Sequence, residues 1–533
     1  MAPVEPDVVA RSNVLPVSLF AAQALLVLGL TSQVLYTTRR AAKSLPPPTT
    51  TRGQEPFRRR HAIIFSTLAF LSLTSVTAFA ILWRASSYLE WAAEGNHESP
   101  GSLWTGWYGT GDEGVGKWRL GDWLSDKNLI VESDAVAVAK PEAFLYTSEH
   151  FVGLLASSLF MGVEGRRRNL SVYTVASFVI LGALGSLGYA LSLFFTTILY
   201  TPLSVHSGDS RYDDTLFTPK PAVYYVPIVL SILGINALPT LLKRKEDVDL
   251  LRLGYVAVPL FLAFAPKIIP ASWGQHHASK ASAHRSFARA FFVLSLLSFA
   301  LHWKNLGFAF FVNTPQKHSH VYDLIVNFGR KNRSKPDRFL TGLAITASKL
   351  KRVSQHPAIS VTTSDIFFSG ISLLAWAFTR DLDVSSILDN SILSFFAGHP
   401  AEKHVEFADQ VQKPLEEIVE EVADIPTTTP KRRGRPKKAD LTNGTSSATP
   451  SKGALRRSTR RKNHSDYESD AESTYKPSAA EREEVAQTEA DGVPSEDLVH
   501  GGEATALGLA LTFLGGLGQL SAGVLGAEVT STN

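Results

Sequence analysis

No cysteine occurs in the 533 residues. That excludes disulfides, thiolate metal sites, thiol catalysis and palmitoyl anchoring. Familiar catalytic spacings are missing as well. There is no nucleotide loop, no His-Glu-x-x-His, no nucleophile elbow and no Asp-Asp-x-x-Asp of the prenyl-diphosphate kind. Nothing in the spacing asks for a cofactor or a resident metal. The net charge of +4 says little, because opposite charges are segregated along the chain. Aromatics nearly vanish between 401 and 503, where only Phe407, Tyr467 and Tyr475 occur.

What is present is long apolar runs. A hydrophobic fraction of 44% would suit a soluble protein, but it averages a membrane core with a polar tail. Runs of about 18 or more apolar residues with few charges read as bilayer spans. Nine candidates stand out: Val14–Tyr36, Ala62–Trp83, Phe144–Glu164, Val172–Leu193, Ala222–Leu242, Gly254–Trp273, Ala288–Val312, Ile359–Thr379 and Ala504–Ala527. Gly254–Trp273 is the weakest, since Pro259, Pro266, Lys267 and Pro270 would kink or break it. The expected fold class is therefore all-α: a polytopic helical membrane protein of eight or nine spans with a long disordered insert. Residues 1–400 form the core, 401–503 a charged disordered segment, and 504–528 a closing apolar helix that packs back on the core. Membrane lipid is the first expected partner. The endoplasmic reticulum or the nuclear envelope is the expected location.

Basic clusters follow every second span: Arg39–Arg60, Arg166–Arg168, Lys243–Lys245 and Arg330–Arg352. Lys and Arg resist translocation. All four loops are thus expected on the cytosolic face, with the N-terminus outside. Eight spans would then leave the tail lumenal. If Gly254–Trp273 does not cross, the tail becomes cytosolic or nucleoplasmic. Between spans two and three, residues 84–143 carry ten acidic and five basic residues and five tryptophans. So many tryptophans argue for an ordered cap on the membrane. Such a cap is either an interfacial aromatic belt or a lid over a pocket.

The tail contains Arg433-Gly434-Arg435-Pro436 within the basic stretch 431–438, with a second basic run at 456–462. The first looks like an AT-hook. In such a motif an extended Arg-Gly-Arg core enters the narrow minor groove of A·T-rich DNA while neighbouring Lys and Arg contact phosphates. The two runs equally fit a bipartite nuclear address, or a charge-mixed solvated linker.

Charges inside spans cost several kcal/mol unless paired or solvated, so each is a functional candidate. Asp365 lies about two turns into its span. Glu149 and His150 sit near the start of theirs. They can relay protons, pair with neighbours or face the cap. Lys267 is a possible partner for Asp365. His276, His277 and His284 form an aqueous His-rich loop or a weak metal site. The bland alternative for each is a packing or interfacial residue.

Several segments carry a family resemblance: "WRLGDWLSDKNL", "SEHFVGLLASSLFMGVEGRRRN", "HPAISVTTSDIFFSGISLLAWAFTRDLD" and "GGLGQLSAGVLGAE". They look like a group of fungal polytopic membrane proteins similar to the membrane-bound terpene cyclases of ascochlorin and macrophorin assembly. The resemblance covers roughly residues 14–400 and 504–528. It implies secondary metabolism: acid-initiated cyclisation of a lipophilic prenyl or terpenoid substrate, with Asp365 or Glu149 as the acid beside His150. Trp376 or the cap tryptophans would stabilise the cations. The competing readings are a nuclear-envelope or reticulum protein tethered to DNA by its tail, and a transporter or structural membrane protein.

Overall fold

The computed structural model describes residues 12–44, 55–97, 118–201, 216–244, 246, 248–277, 280–314, 335–395 and 498–530. The AT-hook-like motif, the second basic run and the helical spacing near 405–422 lie outside these. So do Trp104 and Trp107 of the cap.

The described residues are almost wholly helical, as the hydropathy requires. They form α1 (Val14–Ser44), α2 (Glu55–Glu94), α3 (Leu120–Asp126), α4 (Leu129–Val138), α5 (Pro141–Arg167), α6 (Val172–Leu184) and α7 (Leu187–Tyr200). There follow α8 (Pro221–Lys243), α9 (Asp249–Ile268), α10 (Lys280–Asn313), α11 (Lys335–Ser354), α12 (Pro357–Thr379), α13 (Val384–Asp389) and α14 (Leu498–Thr530). One antiparallel bridge pairs β1 (Phe217–Pro219) with β2 (Gly274–His276), with Thr218 opposite Gln275. The chain is an all-α, multi-pass membrane protein.

The bundle has two ends. At the cap end, the side chain of Asn13 before α1 bonds Trp118 O and Gly121 N. There Tyr88 and Trp91 of α2 pack on Trp118 and Trp123, with ring centroids 4.8 to 5.8 Å from Tyr88. Among the described residues of 84–143, Tyr88, Trp91, Trp118 and Trp123 form one buried aromatic cluster that rests on Phe20. At the opposite end, Thr38 of α1 bonds Thr197 of α7 at 2.8 Å, and α5 finishes in Arg167 and its C-cap Arg168.

Two elements differ from expectation. The run Val172–Leu193 does not cross. It breaks at Gly185 and Ser186 into α6 and α7, which lie side by side. Phe178 packs edge-on against Phe194 at 5.0 Å. Arg168, beside the start of α6, donates to Ile198 O at the end of α7 at 3.1 Å. The chain therefore enters and leaves at the same end. The final run does the same. Helical dihedrals fail at Gly515 and Gly516. A Cβ on Gly508 would lie 3.2 Å from Leu520, and one on Gly523 would lie 2.6 Å from Leu511. Residues twelve apart in a straight helix are separated by about 18 Å, so α14 is folded back on itself. Arg167 donates to Val529 O at its end, and Gly501 near its start lies against Phe378 O of α12. We call this the hairpin end, because two re-entrant hairpins start and finish there.

Seven described helices are long and apolar enough to cross a bilayer, α14 among them and α5 not. The path of the chain reverses both assignments. α5 runs from cap end to hairpin end over 27 residues, about 40 Å; its charges hide it from a hydropathy criterion. α9 was the doubtful span, yet it runs the full length. Arg252 in its first turn bonds Asp134 of α4 at 2.9 Å at the cap end. Ala263 near its far end touches Gly162 of α5. The passages are thus α1, α2, α5, α8, α9, α10 and α12.

This corrects the charge argument. Arg39, Arg40 and Lys43 at the end of α1, Arg58–Arg60 at the start of α2, and Arg166–Arg168 lie at the hairpin end. Lys243 and Arg244 close α8 at the cap end. Arg338, Lys349, Lys351 and Arg352 belong to α11, which is bonded to the cap ends of α10 and α5 through Asn313. The four clusters divide two and two, so they specify no single cytosolic face. A chain without cysteine allows a direct check. Arg59→Cys and Arg244→Cys should react with an impermeant thiol reagent from opposite sides of sealed vesicles. Labelling of both from one side would restore the even count of spans and refute the first hairpin.

Candidate functional site at the hairpin tips

Each hairpin tip meets a carboxylate and a histidine, and the two pairs meet on consecutive residues of α5. At the first tip Ser186 caps α7 by accepting from Tyr189 N at 3.2 Å. The first amides of α7 point to Asp365 of α12. Leu187 N donates to Oδ2 and Gly188 N to Oδ1, both at 2.8 Å. Ser186 Oγ donates to Oδ1 at 2.7 Å. A helix N-terminus carries about half a positive charge, and a carboxylate placed there is stabilised by amides and dipole together. The close approach depends on Gly188, where a Cβ would lie 2.8 Å from Ser72 Oγ and 2.9 Å from Ser369 N.

Asp365 takes a further partner. His150 Nε2 lies 2.8 Å from Oδ2, and Tyr255 OH of α9 lies 2.9 Å from His150 Nδ1. Asp365 is 4% exposed and His150 is 9%. In the neutral ring Nε2–H donates to the carboxylate while Nδ1 accepts from the tyrosine. In the imidazolium Nδ1–H donates to the tyrosine oxygen instead. Both protonation states of the ring keep both bonds. The expected partner Lys267 is not the one found. It lies in the last turn of α9, at the hairpin end, while Asp365 sits in the cap-end half of α12.

At the second tip the reversal uses Gly516 at φ 67°, ψ −159°. The tip carbonyls freed by the break are satisfied from α10. Trp303 Nε1 donates to Leu514 O and Ser298 Oγ to Gly515 O, both at 2.8 Å. Gln519 bonds Ser295 at 2.6 Å. Glu149 lies against the tip so closely that a Cβ on Gly516 would sit 2.3 Å from its carboxyl carbon. Its Oε1 is 2.7 Å from His302 Nδ1. Glu149 and His150 thus serve different hairpins from neighbouring positions.

A third group ties down the feet of the hairpins. Glu164 accepts from Arg167 and Arg168. Glu528 accepts from Arg380 at 3.0 Å and from Trp376 Nε1 at 3.2 Å. The Trp376 ring stacks on Phe195 at 4.3 Å and has the Arg380 guanidinium 5.3 Å from its centre. Its faces are therefore covered.

Sequence reasoning selected Asp365, Glu149 and His150, and the fold brings all three to the tips. It missed Ser186, Tyr255, His302 and Gly516. The only available signals were Gly185-Ser186 and Gly515-Gly516 inside apolar runs, positions where a helix can break. His276 and His277 lie on or beside β2, where His277 bonds Thr218 and Ser282 at 2.8 and 3.0 Å. Among the described residues no three acidic or histidine side chains group as metal ligands. Arg433, Gly434, Arg435 and Pro436 lie outside the described residues. Comparison with family models, characterised proteins and solved structures finds no match.

Proposed function

We propose that this integral membrane protein is a proton carrier, with the two carboxylate–histidine pairs as its proton-exchange groups. The observation that carries the reading is the convergence of two re-entrant hairpin tips on Glu149 and His150. Discontinuous helices with their ends at a buried polar site are the architecture of carriers, because a half-helix can shift without breaking a complete span. Chains of Asp, Glu and His in the bilayer are the groups that relay protons in such proteins. His150 is the central member, since its ring keeps both hydrogen bonds in either protonation state.

The cyclisation implied by the resemblance would instead need Asp365 or Glu149 to present a proton to an apolar substrate. Four donors already occupy Asp365, and the faces of Trp376 are filled. These contacts favour the carrier. The test is proton flux into proteoliposomes holding a pH-sensitive dye after an external pH jump. The intact protein should conduct, and His150→Gln should slow it on the order of 100-fold, the usual weight of a positioned proton-transfer group. The variant's elution profile in detergent should match the parent. No flux above empty liposomes, together with product formed from a polyprenyl chain or its epoxide, would replace the carrier by the cyclase.

A further inference from the structure

We infer that the seam between α5 and α10 is the route by which water and protons reach Glu149 from the cap end. The inference rests on the carrier reading and specifies one side of its path.

Polar pairs recur along the facing sides of the two helices. At the mouth Lys349 Nζ bonds Asn313 Oδ1 at 2.5 Å, and Asn313 Nδ2 donates to Glu142 Oε1 at 2.8 Å. Deeper, Asn305 Nδ2 donates to Ser148 Oγ at 3.1 Å. Next comes Glu149 with His302. Glu142, Asn313, Ser148 and Asn305 are 3%, 7%, 1% and 5% exposed. Two helices in lipid associate through small residues and an occasional polar pair. A file of such pairs leading from one end to an ionisable group exceeds what association requires.

The spacing fits a short file of water. Glu142 and Ser148 are six residues apart, about 9 Å along the helix, a gap of roughly three hydrogen-bond lengths, or about two water oxygens. Asn305 and His302 are less than one turn apart. The seam also has a direction. Past Glu149, α10 still buries Ser298 and Ser295, but both are taken up by the second hairpin, on Gly515 O and Gln519. Beyond them, toward the hairpin end, α10 buries Leu294, Phe291, Ala290 and Phe287, so on α10 the polar file ends within the hairpin, as a half-channel must if the hairpin is the barrier.

The absence of cysteine makes the test clean. Ser148→Cys replaces one oxygen by sulfur in the full-length protein. In proteoliposomes a charged, impermeant methanethiosulfonate should modify it from the side that modifies Arg244→Cys. The rate should exceed that of Phe308→Cys, a lipid-facing position on α10 that is 59% exposed, by about tenfold or more, because a thiolate forms only where water reaches. Should Ser148→Cys fail to elute as the parent does, Asn305→Cys carries the same expectation. Modification from the Arg59→Cys side, or none from either side, overturns the route. The measurement needs no proton flux. A reactive Ser148→Cys in a protein that does not conduct would sink the carrier and leave the route standing; conduction with an unreactive thiol would do the reverse.

Discussion

Asp365→Ala should cost the protein at least about 3 kcal/mol, because three buried donors lose their acceptor and each unmet buried group costs about 1–3 kcal/mol. The amides of Leu187 and Gly188 cannot turn elsewhere, being the first of α7 and closed in by Ser72 and Ser369. His150 would lose its Nε2 partner, whereas the Ser186 hydroxyl can turn to Ser72 Oγ, 2.8 Å away. Against a total stability of about 5–15 kcal/mol, the loss should show as a fall of many degrees in the unfolding midpoint in detergent. Asp365→Asn should fall between, since its remaining oxygen still accepts from Ser186 or Gly188 while its amide faces a donor. A midpoint for Asp365→Ala close to the parent's would show that the first hairpin does not depend on this anchor. The carrier reading adds a second outcome. Asp365→Asn should lose more conduction than its stability explains, whereas a purely structural cap would lose the two in proportion.

The passages and the site were legible to different degrees, for one reason. Hydropathy counts apolar residues and is blind to the direction of the chain. α8, α10 and α12 are each one apolar helix crossing once, so their runs read correctly. α6 with α7, and the two arms of α14, are apolar over similar lengths and read the same, yet the first pair turns back at Gly185-Ser186 and the second at Gly515-Gly516. One reversal within the span count shifts the parity of everything after it. That is why Lys243 and Arg244 were expected beside Arg59 and instead lie at the other end. Asp365, Glu149 and His150 were legible because a charge in a span is rare and costly. His302 and Tyr255 were not. Each is an ordinary residue at a helix face, and only the packing of α9 and α10 against α5 gives it a partner.

Gly516→Ala should disable the second tip while leaving most of the fold in place. At φ 67° and ψ −159° the backbone is in a region that only glycine enters freely, and a side chain there costs of order 1–3 kcal/mol. The new methyl would also lie 2.3 Å from the carboxyl carbon of Glu149, so Glu149 must leave His302 or the tip must withdraw. The C-terminal foot of the hairpin is held independently by Arg167 on Val529 O and by Arg380 on Glu528. The damage should therefore remain local. Conduction should be lost, while the unfolding midpoint falls less than in Asp365→Ala. Gly502→Ala, where a Cβ meets nothing within 4 Å, should change neither. The strain divides into a backbone part and a contact part, and a double variant separates them. Glu149→Ala removes the clash but not the φ cost. In a mutant cycle Gly516→Ala should be less damaging in the Glu149→Ala background by about 0.5–3 kcal/mol, the usual coupling of residues in contact. Simple additivity would mean that the carboxylate does not press on the tip, and the second carboxylate–histidine pair would lose its place in the mechanism.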